Sequence, residues 1–226
     1  MKKYELTNET IKYANTKLFR IRALKDFGCV KAGDLGGYVE NENNLAQENN
    51  CWIYGNAIVF GNAWVSGDTS VYGDALVFGN AWVSGDTSVY GDAWVYDNAW
   101  VYGDARVYDD ARIYGDAWVS GNALVFGNAW VYGDARVYEN ARVYGKASVF
   151  DNAEVYGKAR VYDNAEVYEN ANVYDNAKVF ENAIVYGNAK VFGNTRVYGD
   201  ACVYGDARVL GNTKEIKGER KWIIYY

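Results

Sequence analysis

The sequence predicts an all-β solenoid, and two observations predict it: an aliphatic residue at every sixth position, and a turn-forming pair between successive aliphatic residues. Val or Ile recurs from Ile53 to Val209 through 27 consecutive hexads without a break. A six-residue unit is too short to bury a face alone, so units of this kind must stack on one another to make a core. No helix fits such a period.

Each hexad reads small residue, variable residue, Val, Tyr or Phe, then two turn residues, as in Ala105-Arg106-Val107-Tyr108-Asp109-Asp110. Alternation over the first four positions predicts a short strand with Ala and Val facing inward and the variable residue and Tyr facing outward. Gly, Asp, Glu and Asn fill the last two positions, apart from Lys146 and Lys158. Gly, Asn and Asp accept positive φ at least cost, so a corner is expected after every strand.

An aliphatic residue followed four positions later by a small one, as in Val59 with Ala63, Val71 with Ala75 and Val107 with Ala111, resembles the hexapeptide-repeat superfamily of left-handed parallel β-helices. The resemblance implies a triangular solenoid in which three hexads close one 18-residue coil, hence about nine coils and a rod about 43 Å long at a strand spacing of about 4.8 Å. It spans residues 51–213. Residues 1–50 break the period apart from hints at Val39 and Leu45, and are expected to form an N-terminal cap over the open end. Residues 214–226, ending Trp222-Ile223-Ile224-Tyr225-Tyr226, are expected to be a C-terminal cap or an oligomerisation strand.

Composition narrows the function. Half of the 226 residues are apolar and no compositional shift divides them, which predicts one elongated domain. The N-terminus has a charged start without an apolar stretch behind it, so neither a signal peptide nor a membrane span is expected and a cytoplasmic protein follows. A net charge of −6 argues against a general nucleic-acid binder and leaves DNA mimicry open. Cys29, Cys51 and Cys202 have unrelated spacings and read as reduced bystander thiols. Many members of the resembled superfamily are acyltransferases whose usual base is a histidine, and its zinc-binding members hold their metal with histidines. This chain has no histidine, so no catalytic residue, metal or cofactor is assigned and an acyltransferase-like enzyme is the less favoured reading.

Positions 18 apart should lie above one another, which sorts the residue before each Val into three columns. The first reads Trp64, Trp82, Trp100, Trp118, then Arg136, Glu154, Asn172, Lys190 and Arg208; the residue after Val beside the Trp run is Ser66, Ser84 and Ser120, with Tyr102 the exception. Large beside small makes a ridge and a groove. Four stacked indoles at up to about 200 Å² each approach the apolar patch size that marks an interface, so these seven Trp and Ser residues are the candidate oligomer surface; plain aromatic stacking along the sheet is the bland alternative. The second column reads Ile58, Leu76, Trp94, Arg112, Trp130 and Ser148. Its Trp94, Arg112 and Trp130 form a candidate stacking site for a planar anion such as a nucleotide.

The third column carries Arg142, Arg160, Lys178 and Arg196 in succession, where a solvated mixed surface competes with anion binding. Corners stack Asp68, Asp86 and Asp104 on one edge and Asp74, Asp92 and Asp110 on another, without the GGxGxD spacing of calcium β-rolls. Later corners, Asn152, Asn170 and Asn188 and then Asn176, Asn194 and Asn212, are expected to bond up the stack as amide ladders.

The run TKLFRIRALKDFGCVKAGDLGGYVE with NLAQENNCWIYGNA is similar to the start of hexapeptide-repeat proteins of phages and prophages. That resemblance implies a phage-associated protein of the host cytosol. Homotrimers with ligands in clefts between subunits are common in the superfamily. The favoured expectation is therefore a non-catalytic homotrimeric binder that sequesters a host ligand, with a nucleotide-type antiphage defence signal as candidate. The alternative is a structural or protein-interaction rod, or an acidic DNA mimic that occupies a nucleic-acid-binding host protein; a host defence protein is a further partner class.

Overall fold

The computed structural model describes residues 2–211, 215–218 and 222–223. Every hexad makes one short strand that begins with the variable residue and the Val after it, two residues long as in Trp64–Val65, Ser70–Val71 and Leu76–Val77 except at Lys190–Gly193, Arg196–Gly199 and Arg208–Gly211, which run to four. Strand i pairs in parallel with strand i+3, so residues 18 apart are in register: Trp82 with Trp100, Ser88 with Arg106, Trp94 with Arg112. Three sheets of 13, 10 and 9 strands result. They are the three walls of a β-solenoid, and each wall carries one of the three columns read from the sequence.

The expected four-residue strand is shorter than anticipated because only two residues keep extended pairing before the chain turns. The interstrand bonding nevertheless continues round the corner. Trp94 N donates to Ala111 O, Tyr96 N to Ile113 O and Asn98 N to Gly115 O, all within 3.0 Å. Ala and Val from all three walls fill the centre at essentially zero exposure from Ala57 to Val209. Thr69, Thr87 and Thr195 take Ala positions and remain buried because each hydroxyl donates to a backbone carbonyl.

Corners require the left-handed backbone region. Gly85 there has φ +82, and a Cβ on it would lie 2.6 Å from Gly103 O. At other corners carboxylate residues take the same conformation, with φ 60 at Glu139, 60 at Asp163 and 61 at Glu181. Their side chains return a bond along the rod: Glu139 accepts from Gly157 N at 3.0 Å and Glu181 from Gly199 N at 2.9 Å.

The N-terminal segment closes the first coils. Strands β1 (Tyr4–Tyr13) and β2 (Thr16–Ala23) form an antiparallel hairpin, and β3 (Leu35–Val39) joins it to the 13-stranded sheet by pairing Val39 with Val59. Leu45 bridges to Val65, so the two hints in the sequence are the first, irregular turn of the solenoid. Gly36 and Gly37 pass so close to Ile21, Trp52 and Ala57 that neither has room for a Cβ. Trp52, outward by pattern, is 1% exposed because Tyr4 and Phe27 pack edge-on against its ring. Lys3 is equally buried; its ammonium donates to the Glu48 and Cys51 carbonyls and to Cys51 Sγ, and burial lowers its pKa.

At the other end, Glu215–Gly218 and Trp222–Ile223 pair in parallel with Arg196–Gly199 and Cys202–Val203, extending two walls by one strand each. The boundary at 213/214 and Ile224 to Tyr226 lie outside the described residues. No helix of the described residues is long and apolar enough to cross a membrane.

Candidate functional site

Parallel registry at a separation of about 4.8 Å forces any flat side chain to lie on the next one. In the 13-stranded wall this brings Trp94, Arg112 and Trp130 together as the sequence expects. The Arg112 guanidinium lies 4.8 Å from the Trp94 ring centre and 5.4 Å from that of Trp130. Arg112 is therefore sandwiched between two indoles, and no planar ligand can enter between those three rungs. Trp94 is further committed to the cap, since it packs beside a buried cluster of Leu18, Tyr38, Ile58 and Leu76.

What stays open is the far face of Trp130. Its partner one rung on is Ser148, too short to cover an indole, and Trp130 is 40% exposed. A groove of about 420 Å³ lies there, lined by Asp110, Arg112, Asn128, Trp130, Lys146 and Ser148. It offers one ring face, two cations, one carboxylate and two neutral polar groups. Lys146 and Asn128 were missed as site residues. They continue, 18 apart, the corner column of Asp74, Asp92 and Asp110, so following that edge two rungs further finds them.

The second candidate surface is on the nine-stranded wall, where Trp64, Trp82, Trp100 and Trp118 occupy consecutive rungs. Their ring centres are 5.1, 4.7 and 5.4 Å apart; the first two pairs are tilted and the last is stacked at 9°. Arg136 closes the column over Trp118 at 5.1 Å. Ser66, Ser84 and Ser120 run alongside, and an apolar groove of about 320 Å³ is lined by Trp82, Ser84, Trp100, Tyr102 and Trp118. Trp64, Trp100 and Trp118 are exposed, whereas Trp82 Nε1 is buried without a hydrogen-bond partner.

Corner amides stack in part as expected. Asn170 donates to Asn188 at 3.3 Å, and Asn188 continues to Asp206 at 2.9 Å. A further ladder runs Asn62, Asn80, Asn98, Asp116. Asn212 lies outside the described residues. Cys29, Cys51 and Cys202 are free thiols, with Cys51 raised in pKa by burial.

Three walls of stacked hexads, an inward Val and Ala lattice and a corner after every strand define the class: the chain is an all-β parallel solenoid of hexapeptide repeats, which fits a β-helix of the left-handed hexapeptide-repeat type. Residues 53–67, 71–85, 105–121 and 117–133 match the family described as YdcK β-solenoid repeat. Over 62 residues the chain is 42% identical to a protein of Escherichia coli K12 named uncharacterized acetyltransferase YdcK. That alignment covers 24% of this chain and 19% of the relative, so it speaks for the repeat and leaves most of the relative's length unmatched.

Proposed function

We propose that this solenoid is a non-catalytic binder of a planar, anionic small molecule of nucleotide type, seated on the free face of Trp130. The observation that carries the reading is the vacancy above Ser148, where an exposed indole face opens into a groove shared with Arg112 and Lys146. An aromatic base stacked on an indole contributes about 1–3 kcal/mol, and the two cations supply the charge for a phosphate. Trp94 and Arg112 act here by holding Trp130 in place. In the same proposal three copies associate through the Trp64 to Trp118 column with Ser66, Ser84 and Ser120, placing ligand grooves near subunit boundaries. A phage-borne antagonist of nucleotide defence signals is the setting that the N-terminal resemblance suggests.

Calorimetry with a panel of cyclic nucleotides, ADP-ribose and acetyl-CoA tests the reading. Binding is expected to weaken at least tenfold in Trp130→Ala and in Lys146→Gln; no binding to any member, or unchanged affinity in both variants, overturns it. Acetyl transfer is the second reading, favoured by the name of the E. coli relative. Acetyl-CoA in the panel separates the two: bound and recovered intact supports capture, and product formation moves the assignment to catalysis. Sedimentation of Trp82→Ser combined with Trp100→Ser checks the assembly, with a drop in mass expected.

A further inference from the structure

On the nine-stranded wall Ser84 stands after its Val where the next rung carries Tyr102. Beside it lies the apolar groove between Trp82, Trp100, Tyr102 and Trp118. The rings around this groove are not one parallel stack. Trp82 is tilted 54° from Trp100, and Tyr102 stands at 76° to Trp118, so the groove is bounded by aromatic surface in several directions. No lining side chain is charged, and the side-chain oxygens that line it are the hydroxyls of Ser84 and Tyr102.

The rim has one sign. Over the four rungs from Trp64 to Trp118, the corners carry Asp68, Asp86 and Asp104 on the serine side and Asp97 and Asp116 on the indole side, with no Lys or Arg on either. Asp97 and Asp116 accept hydrogen bonds along the rod and keep their charge. Asp86 and Asp104 are exposed, and neither belongs to an ion pair among the described residues. Residues 52–135 as a whole hold ten Asp against two cations, Arg106 and Arg112, both of which stand on other walls. The next cation along this wall is Arg136, which lies over Trp118 at 5.1 Å, one rung beyond the indole run. An indole of this column therefore already takes a cation on its face.

We infer that the groove binds an organic cation of the quaternary ammonium class. Aromatic faces attract a cation through the ring quadrupole, and the corner carboxylates raise the concentration of cations over the wall. A primary ammonium would exchange three hydrogen bonds to water for two hydroxyls, whereas a trimethylammonium group has no N–H to leave unpaired in an apolar groove. The same aspartates disfavour an anion, which separates this site from the groove at Trp130, where Arg112 and Lys146 line the opening. The inference goes beyond the nucleotide reading and does not rest on it. A second copy seated on this wall would cover the groove, so the cation and the copy exclude each other there.

Calorimetry with choline, compared with the neutral alcohol in which carbon replaces the nitrogen of choline, tests the site. Choline is expected to bind about tenfold more tightly than that alcohol. Tyr102→Ser gives this rung the residue that the wall carries at Ser66, Ser84 and Ser120, and should weaken choline about fivefold. Asp86→Asn with Asp104→Asn, the residue of the same edge at Asn122, should weaken it about threefold at low salt and hardly at all at about 1 M salt. Circular dichroism checks that both variants are folded. Saturating choline should also lower the mass of any assembly made through the Trp wall. No binding of choline, equal binding of the neutral alcohol, or unchanged affinity in both variants overturns the inference.

Discussion

Along the nine-stranded wall, the first four rungs and the next four place the large ring on opposite sides of the same valine. From Trp64 to Trp118 the ring precedes Val, and Ser follows it at three rungs of four. From Arg136 onward the order reverses, with a polar residue before Val and Tyr138, Tyr156, Tyr174 and Phe192 after it, stacked at 4.9–5.0 Å. Tyr102, edge-on to Trp118 at 6.4 Å, and Arg136 over the same indole make the crossover. The difference teaches that most rungs hold one large flat ring on their outer surface and that the wall accepts it in either column. The Trp run therefore replaces the tyrosine ladder before it does anything else, and its excess over a phenol ring is the apolar surface left for a partner.

The corners of the two regions differ as well, and substituting them should give the largest effect. Gly85→Ala puts a methyl group against Gly103 O in a left-handed turn and should lower unfolding stability by roughly 3 kcal/mol or more. Glu139→Ala keeps a backbone already tolerant of a side chain and forfeits its bond to Gly157 N, so about 1–2 kcal/mol is expected. Urea unfolding of both compares them; equal losses would deny that the two kinds of corner are built differently.

A rung transplant sharpens the comparison. Trp82→Arg alone should cost about 2 kcal/mol by opening the stack between Trp64 and Trp100. Adding Ser84→Tyr converts the rung to the pattern of Arg136 and Tyr138 and should recover all but about 0.5 kcal/mol. A double variant as unstable as the single one would show that the columns are not interchangeable.

The smallest effect is on pH dependence. Burial raises the phenol pKa of Tyr90, Tyr96, Tyr108, Tyr114 and Tyr144 above the usual value of 10.0. The unfolded chain therefore ionises first, and the stability these rings contribute is complete below that value and is lost as pH rises through the folded-state values. The urea midpoint should fall between about pH 9 and about pH 11. Tyr108→Phe with Tyr144→Phe, the neighbours of Phe126 in one stack, should reduce that fall; an unchanged fall would place its origin elsewhere.

The columns were legible because every inward residue is Ala, Val or a close substitute, so nothing in the core disturbs a count of eighteen. Trp52, Ile58 and Leu76 are outward by the same count and yet buried, since a hairpin with no period of its own covers them. Its register, shifted between Leu6 and Thr10, leaves no mark in the composition. The Trp94, Arg112 and Trp130 column was legible as a contact but not as a closed sandwich. That distinction depends on how far a guanidinium reaches between two rings. The open side of the site depends on Ser148 and Lys146, a small residue and a corner residue, which stand out only beside their neighbours in space.

The pairing of residues 18 apart has a consequence for how this chain can change length. Removing or duplicating one whole coil leaves each downstream side chain on its own wall. Removing a single hexad turns everything after it by a third of a revolution, and Arg142 would then follow Trp118 in the place of Arg136. The interior, being alike on all sides, would not register the change. The outside would be dealt a different hand, so a lineage of such rods can exchange one surface for another at almost no cost to its core.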